Sequence, residues 1–299
     1  MRVLVSGSRG LIGSALAPFL AAQGHAVTRL VRGPARPGGT EIPWGPKQGK
    51  LDPGMLEGHD GVVHLAGENL ASGRWTPERK AELVDSRVRG TRLLAETLAG
   101  LARPPRVMVC ASAIGYYGDR GDEILTEESM PGRGFLADLC REWEAASAPA
   151  EEKGIRVVRL RFGVVLSPVG GALKRMLLPF RLGVGGRLGS GRQYMSWIVL
   201  DDVLPVILRA LTDDTLEGPV NAVAPSPVTN QDFTKTLGRV LVRPAILPVP
   251  AFALRMVFGE MADETLLASN RVQPTKLQAN GFRFCCPELE GALRHVLGK

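Results

Sequence analysis

Cysteines and aromatics are scarce: four cysteines stand among 299 residues, and Phe, Trp and Tyr together make up 5%. Cys110, Cys140, Cys285 and Cys286 show no metal-ligand spacing, and the adjacent last two cannot easily pair with each other. Reduced thiols in a cytoplasmic protein are the expectation. Long apolar runs are missing as well. The best stretch, 248–261, is broken by prolines and Arg255, short of the roughly 18 residues that suggest a membrane span. The chain enters a strand-like run at Val3 without the basic head and long apolar core of a secretory signal, which again predicts a cytoplasmic protein with no membrane partner. Compositional extremes are absent too: 44% apolar and 22% charged residues describe an ordinary globular chain. At this length, one large α/β unit with a smaller appendage fits better than two independent domains.

Basic residues outnumber acidic ones 37 to 30, for a net charge of +7. Nucleic acid is not the expected partner, because no Lys/Arg block carries interleaved aromatics and no zinc-finger pattern occurs. Acidic residues are missing altogether from 163–200, where Lys174, Arg175, Arg181, Arg187 and Arg192 lie. That stretch reads either as a solvated basic face or as an electropositive cleft for a phosphate-bearing small molecule.

Apolar runs at 3–6, 26–31, 61–66, 106–111 and 156–161 alternate with helical patterns at 12–22, 78–98 and 135–148. Near-continuous apolar strands separated by helices predict an α/β fold, a Rossmann doubly wound parallel sheet covered on both faces. Beyond Leu166 the alternation yields to glycine- and proline-rich segments. The expected division is a dinucleotide-binding domain at 1–166 and a smaller C-terminal substrate or lid domain at 167–299, with a strand near 220–223 able to rejoin the main sheet.

The sharpest local signal is the run 3–13, Val-Leu-Val-Ser-Gly-Ser-Arg-Gly-Leu-Ile-Gly. Gly7 suits a tight turn, Gly10 lets backbone approach a pyrophosphate, and Gly13 lets helix pack on strand. The N–H groups at Leu11, Ile12 and Gly13 then open a helix whose positive end favours phosphate. Sites that prefer NAD place an acid at the end of the second strand; here Arg32 stands there. A guanidinium suits the 2′-phosphate, and Arg9 in the loop is placed to approach it, so NADP(H) is the expected cofactor.

The glycine run, Asp60 before the strand ending in His64-Leu65-Ala66-Gly67, and the strand of Cys110-Ala111-Ser112-Ala113 leading to Tyr116-Tyr117-Gly118 together resemble extended short-chain dehydrogenase/reductases. Longer stretches add to this, among them Ala66-Gly67-Glu68-Asn69-Leu70, Ser86-Arg87, Leu178-Pro179-Phe180-Arg181-Leu182-Gly183 and Ala279-Asn280-Gly281-Phe282. They are similar to an atypical nucleotide-sugar epimerase-like branch of those proteins. The resemblance implies bound NADP(H), with Arg32 at the 2′-phosphate and Asp60 meeting adenine. Leu65, Ala66 and Gly67 would lie along the dinucleotide, and Glu82 and Arg87 would contribute from the following helix. It also implies an oxidoreductase or epimerase acting on an anionic, nucleotide-sugar-like substrate, with Arg187, Arg192 and Trp197 on the substrate side. A homodimer through the helices at 78–98 and 135–148 is a further implication.

One departure stands out. Typical relatives carry Tyr-x-x-x-Lys on the helix after the serine strand, where lysine tunes the tyrosine for proton exchange as hydride moves. Residues 135–144 here contain neither tyrosine nor lysine. Ser112 occupies a position resembling the active-site serine, and Tyr117, then Tyr116, are the nearest phenols for proton donation. A cofactor-binding module that has lost the chemical step is the alternative function.

Overall fold

The computed structural model describes residues 1–36 and 39–299; Pro37 and Gly38, within the loop expected from Gly33, lie outside the described residues. β1 (Arg2–Ser6), α1 (Leu11–Ala22), β2 (Ala26–Val31), β3 (Glu41–Pro43), β4 (Gly61–His64), α2 (Pro77–Ala99) and β5 (Val107–Ala113) come first. The middle holds β6 (Ile124–Leu125), α3 (Phe135–Ala145), α4 (Ala148–Glu152), β7 (Arg156–Phe162), β8 (Val164–Leu166) and α5 (Gly171–Arg181). After these come β9 (Tyr194–Met195), β10 (Trp197–Val199), α6 (Leu200–Thr212), β11 (Gly218–Ala222), β12 (Val228–Thr229) and α7 (Asn230–Leu241). The chain closes with α8 (Ala251–Phe258), β13 (Arg271–Val272), α9 (Thr275–Ala279) and α10 (Leu289–Leu297).

Seven strands pair in parallel in the order β11-β7-β5-β4-β1-β2-β3. The sequence runs 3–5 and 62–63 are apolar without alternation because helices cover both faces and leave these residues fully buried. On one face Val3, Val5, Val63 and Val109 meet Leu16 and Leu20 of α1 and Val203 and Ile207 of α6. On the other, Leu4, Val62 and Met108 meet Leu94 and Leu98 of α2. Chain direction across the sheet reverses between β1 and β4, so a crevice opens there beyond the carboxyl ends of the strands. α2, which borders that crevice, starts cleanly: Thr76 accepts the Arg79 N–H at 3.2 Å and Pro77 takes the first helical position.

The division at 166 does not separate the layers. β8 pairs with β10, but β11 adds to the sheet edge beside β7, and α6 packs on the same core as α1. Residues 200–222 thus lie with the Rossmann layer. α5, α7 and α10 share a second core around Leu173, Phe233, Leu237 and Leu293. β3 falls inside an expected loop; it is an edge strand ending on Pro43, where a missing N–H faces no partner strand. No helix among the described residues is long and apolar enough to cross a membrane. The exposed faces of α2 and α3, the two helices of the expected dimer, carry charge at Arg89, Arg92, Asp138 and Arg141.

Candidate dinucleotide site

Backbone meets backbone where β1 turns into α1. Gly7 sits at φ +67°, and a Cβ there would lie 2.6 Å from the carbonyl carbon of Leu65. A Cβ at Gly13 would overlap the Gly7 carbonyl oxygen and lie 2.8 Å from the Ser8 Cα. Glycine is therefore required at both positions. Gly10 donates to the Gly7 carbonyl at 2.9 Å, and no side chain caps α1. The N–H groups of Leu11, Ile12 and Gly13 lack intrahelical partners and form an anion-ready end beside Leu65 and Ala66. α5 lies against this end: a Cβ at Gly170 would come within 2.9 Å of Leu11, and Arg175 donates to the Ala71 carbonyl at 3.1 Å.

Arg32 reaches solvent at the end of β2 and pairs with Glu68 at 2.7 Å. That hydrogen bond holds the Glu68 carboxyl below the usual carboxylate range. Arg9 is exposed in the glycine loop. Arg87 acts differently: it is buried, packs 3.4 Å from where a Gly67 Cβ would be, and donates to the Glu68 carbonyl at 2.8 Å. Burial pulls its pKa to about 10. Arg87 props the loop at 67–68 rather than facing the crevice. Glu82 accepts from Arg79 at 2.7 Å, and Arg79 in turn holds the Asn69 carbonyl and Ser72.

Asp60 requires a correction. Its carboxylate accepts the Arg2 N–H at 2.6 Å, at the amino end of β1. Four residues of strand, about 13 Å, separate that end from Gly7, so Asp60 lies at the far end of the sheet from any dinucleotide. Trp44 packs beside the carboxyl end of β4. It follows β3 and stands edge-on to His64, with 5.9 Å between ring centres. His64 Nδ1 and the Ser6 hydroxyl share a hydrogen bond at 2.7 Å, while Nε2 is buried without a partner.

Ser112 and Tyr117 come together, but in a closed network. Ser112 donates to Glu144 at 2.6 Å, and Glu144 accepts Arg161 Nε and Nη2, both at 2.8 Å. Arg161 Nη1 reaches the Tyr117 hydroxyl at 3.0 Å, and that hydroxyl donates to Asn221 at 2.7 Å. Burial pushes the Tyr117 phenol up to about 12, the nearby Arg161 charge opposing it. Burial lowers the Arg161 pKa, but its bonds to Glu144 more than offset this and hold it above the ordinary arginine value. A fully buried phenol with both valences used is badly placed to protonate a substrate, which corrects its expected role. Tyr116 differs. It is half-buried, its hydroxyl stands outside this network, and the Arg161 guanidinium lies 3.5 Å above its ring centre.

Trp197 is also corrected: it is fully buried in the second core, with its indole N–H given to the Ser226 carbonyl at 3.1 Å. A side chain wrapped in this way does not line a substrate cleft. Arg187 and Arg192 are exposed and flank one turn, with Arg187 folded over Gly191 and bonded to the Ser190 carbonyl at 2.8 Å. The turn leads to Tyr194, whose N–H bonds Ser269, and Ser269 bonds Asp119 and Gly121 just beyond Tyr117.

The sequence pattern of the NAD dependent epimerase/dehydratase family matches residues 3–222, and that of a domain of unknown function matches 249–296. An epimerase family protein of Mycobacterium bovis is 47% identical over 285 residues, covering 94% of this chain and 93% of its own. The epimerase family protein SDR39U1 of Homo sapiens is 38% identical over 300 residues, covering 99% and 100%. The crystal structure of the human protein with NADPH superposes over 100% of both chains with a TM-score of 0.92 at 37% identity. A UDP-N-acetylglucosamine 4-epimerase from Bacillus cereus, 16% identical, shares the fold over 99% of this chain with a TM-score of 0.77. With a family pattern spanning most of the Rossmann layer and relatives alike from end to end, this chain belongs to the NAD dependent epimerase/dehydratase family.

Proposed function

We propose that the protein binds NADP(H) in the crevice between β1 and β4 and uses it as an oxidoreductase or epimerase on a small anionic carbonyl or sugar substrate. The carrying observation is the glycine-only cradle at Gly7 and Gly13 beneath the uncapped start of α1, with Arg32 and Arg9 at its rim. The human relative's complex with NADPH supports the same cofactor. When bound, NADP(H) supplies or accepts hydride; the chain's own residues must handle the proton. Tyr116 is the group for that step. Arg161, held in place by Glu144, lies 3.5 Å over its ring, where the usual Tyr-x-x-x-Lys pair would place its lysine's positive charge near the phenol. Arg187 and Arg192 hold the substrate's negative charge.

The test is cofactor calorimetry together with NADPH oxidation across a panel of carbonyl compounds and nucleotide sugars. NADPH binds more tightly than NADH, and Arg32→Ala removes the preference. Tyr116→Phe abolishes turnover with NADPH affinity unchanged, a loss of about 10²–10⁴-fold for a positioned proton donor. Turnover that survives Tyr116→Phe overturns the assignment. A second reading, a protein that holds NADP(H) without turning over, is favoured by the closed Ser112–Glu144–Arg161–Tyr117 network. Tight NADPH binding with no reaction of any substrate on the panel would select it.

A further inference from the structure

Far along the chain from the glycine cradle, three soft ligands converge where the start of α6 meets the start of the C-terminal segment. Cys285 and Cys286 place their sulfurs 3.5 Å apart, and one donor atom from each, with a ring nitrogen of His295, lies within 4.8 Å of the others. We propose that Cys285, Cys286 and His295 form a binding site for a thiophilic d¹⁰ metal ion of the Zn(II) class, which clips α10 to the cysteine dipeptide that precedes it. Two sulfurs and one imidazole nitrogen are the donors such an ion selects over oxygen ligands. Donors around a tetrahedral Zn(II) stand about 3.4–3.8 Å apart, so the sulfurs already have the required spacing and the imidazole must close in by about 1 Å.

The surroundings are arranged as metal sites usually are. Asp202, itself 1% exposed, accepts the N–H groups of both Cys285 and Cys286 at 2.8 and 3.3 Å. That grip turns the dipeptide so that both sulfurs meet the same point. Its chain neighbour Asp201 takes His295 Nε2 at 2.6 Å. A carboxylate on the outer ring nitrogen fixes the imidazole's orientation and raises its basicity as a ligand, which leaves Nδ1 for the ion. Two successive residues of one helical turn thus position all three ligands. Cys285 and His295 are exposed, so an ion has a path in and a fourth position open to water.

Charge completes the argument. A divalent cation binds the thiolates: two S–H protons leave to solvent, two S–metal bonds form, and no oxidant is needed. Affinity must therefore rise with pH. Internal disulfide formation is the poorer use of this pair, because adjacent residues cannot easily reach disulfide geometry.

The experiment uses the full chain, reduced and kept anaerobic, titrated with Zn(II) against a chromophoric chelator, and with Co(II) as a spectroscopic substitute. The expected result is one ion per chain, proton release on binding, and a thiolate-to-cobalt charge-transfer band. Cys285→Ser with Cys286→Ser should lower affinity more than about 100-fold. Asp201→Asn should lower it about 10–100-fold by acting through His295. Zn(II) should raise the melting temperature of the wild type and not of the double variant. NADPH affinity, measured in parallel, should be the same for all three proteins, which separates this site from the cofactor crevice. The proposal is overturned if the wild type takes no ion from the chelator, or if the double serine variant takes it equally well.

Discussion

His64 is a buried imidazole whose one possible charge has nowhere to go. Burial holds its pKa at about 4, against 6.5 for the free side chain, so the folded state keeps it neutral. Nδ1 shares a 2.7 Å hydrogen bond with the Ser6 hydroxyl, whose oxygen also accepts the Leu65 N–H at 3.2 Å. Between pH 6.5 and 4 the unfolded chain binds a proton that the folded chain refuses, so stability falls as pH drops through that window. The shift is worth up to about 3 kcal/mol. Urea melts of the wild type and His64→Asn from pH 7 to 4 should diverge by that amount, the wild type losing more. Parallel curves would mean that His64 accepts its proton freely in the folded protein.

Single residues also show why some roles are legible in sequence and others are not. Gly7, Gly13 and Arg32 announce themselves because turn, helix start and strand end fall within a few residues of one another. Asp60 is misread against a rule the sequence already offers: it precedes its strand, whereas parallel sheets take ligands beyond the strands' carboxyl ends. Tyr117 and Ser112 are invisible in another way. Their partners are Asn221 and Glu144, 104 and 32 residues away, and no local pattern reports a network closed over that span.

At the scale of elements, the start of α1 is fixed by contacts that tolerate no side chain. Gly13→Ala puts a methyl into the Gly7 carbonyl and forces α1 away from β1. Overpacking of this kind costs about 1–3 kcal/mol, and it also displaces the N–H groups that the cofactor phosphates require. NADPH should raise the melting temperature of the wild type and leave that of Gly13→Ala almost unmoved. Gly291 in α10 provides the contrast, because a Cβ there meets nothing within 4 Å. Gly291→Ala should stabilise the protein by about 0.5–1 kcal/mol and preserve the NADPH increment. If Gly13→Ala keeps that increment, the cradle is not the phosphate site. The main elements of the Rossmann layer are readable from apolar runs and helical spacing, but β3, β8 and β10 are not. These are three-residue strands whose pairing depends on partners remote in sequence.

Considered as a whole molecule, the C-terminal segment packs into both cores of the fold. Leu289 and Leu293 of α10 join Leu173, Phe233 and Leu237 in the second core, and Leu277 with Phe282 and Phe284 packs on the main core beside α6. Asn280 binds the Arg209 guanidinium at 2.7 Å and Asp213 at 3.0 Å, fastening the turn after α9 to the end of α6. Ending the chain at residue 248 removes all of these. Each large buried apolar side chain contributes about 1.5–3 kcal/mol, so the loss of Leu277, Leu289 and Leu293 alone approaches the 5–15 kcal/mol that holds a typical domain folded. The truncated chain should lack cooperative melting and should not bind NADPH, although every residue of the glycine cradle remains. The full chain should melt in a single transition by calorimetry and by circular dichroism alike. A truncated protein that melts cooperatively and still binds NADPH would show that the Rossmann layer is self-sufficient and that residues 249–299 are an appendage after all.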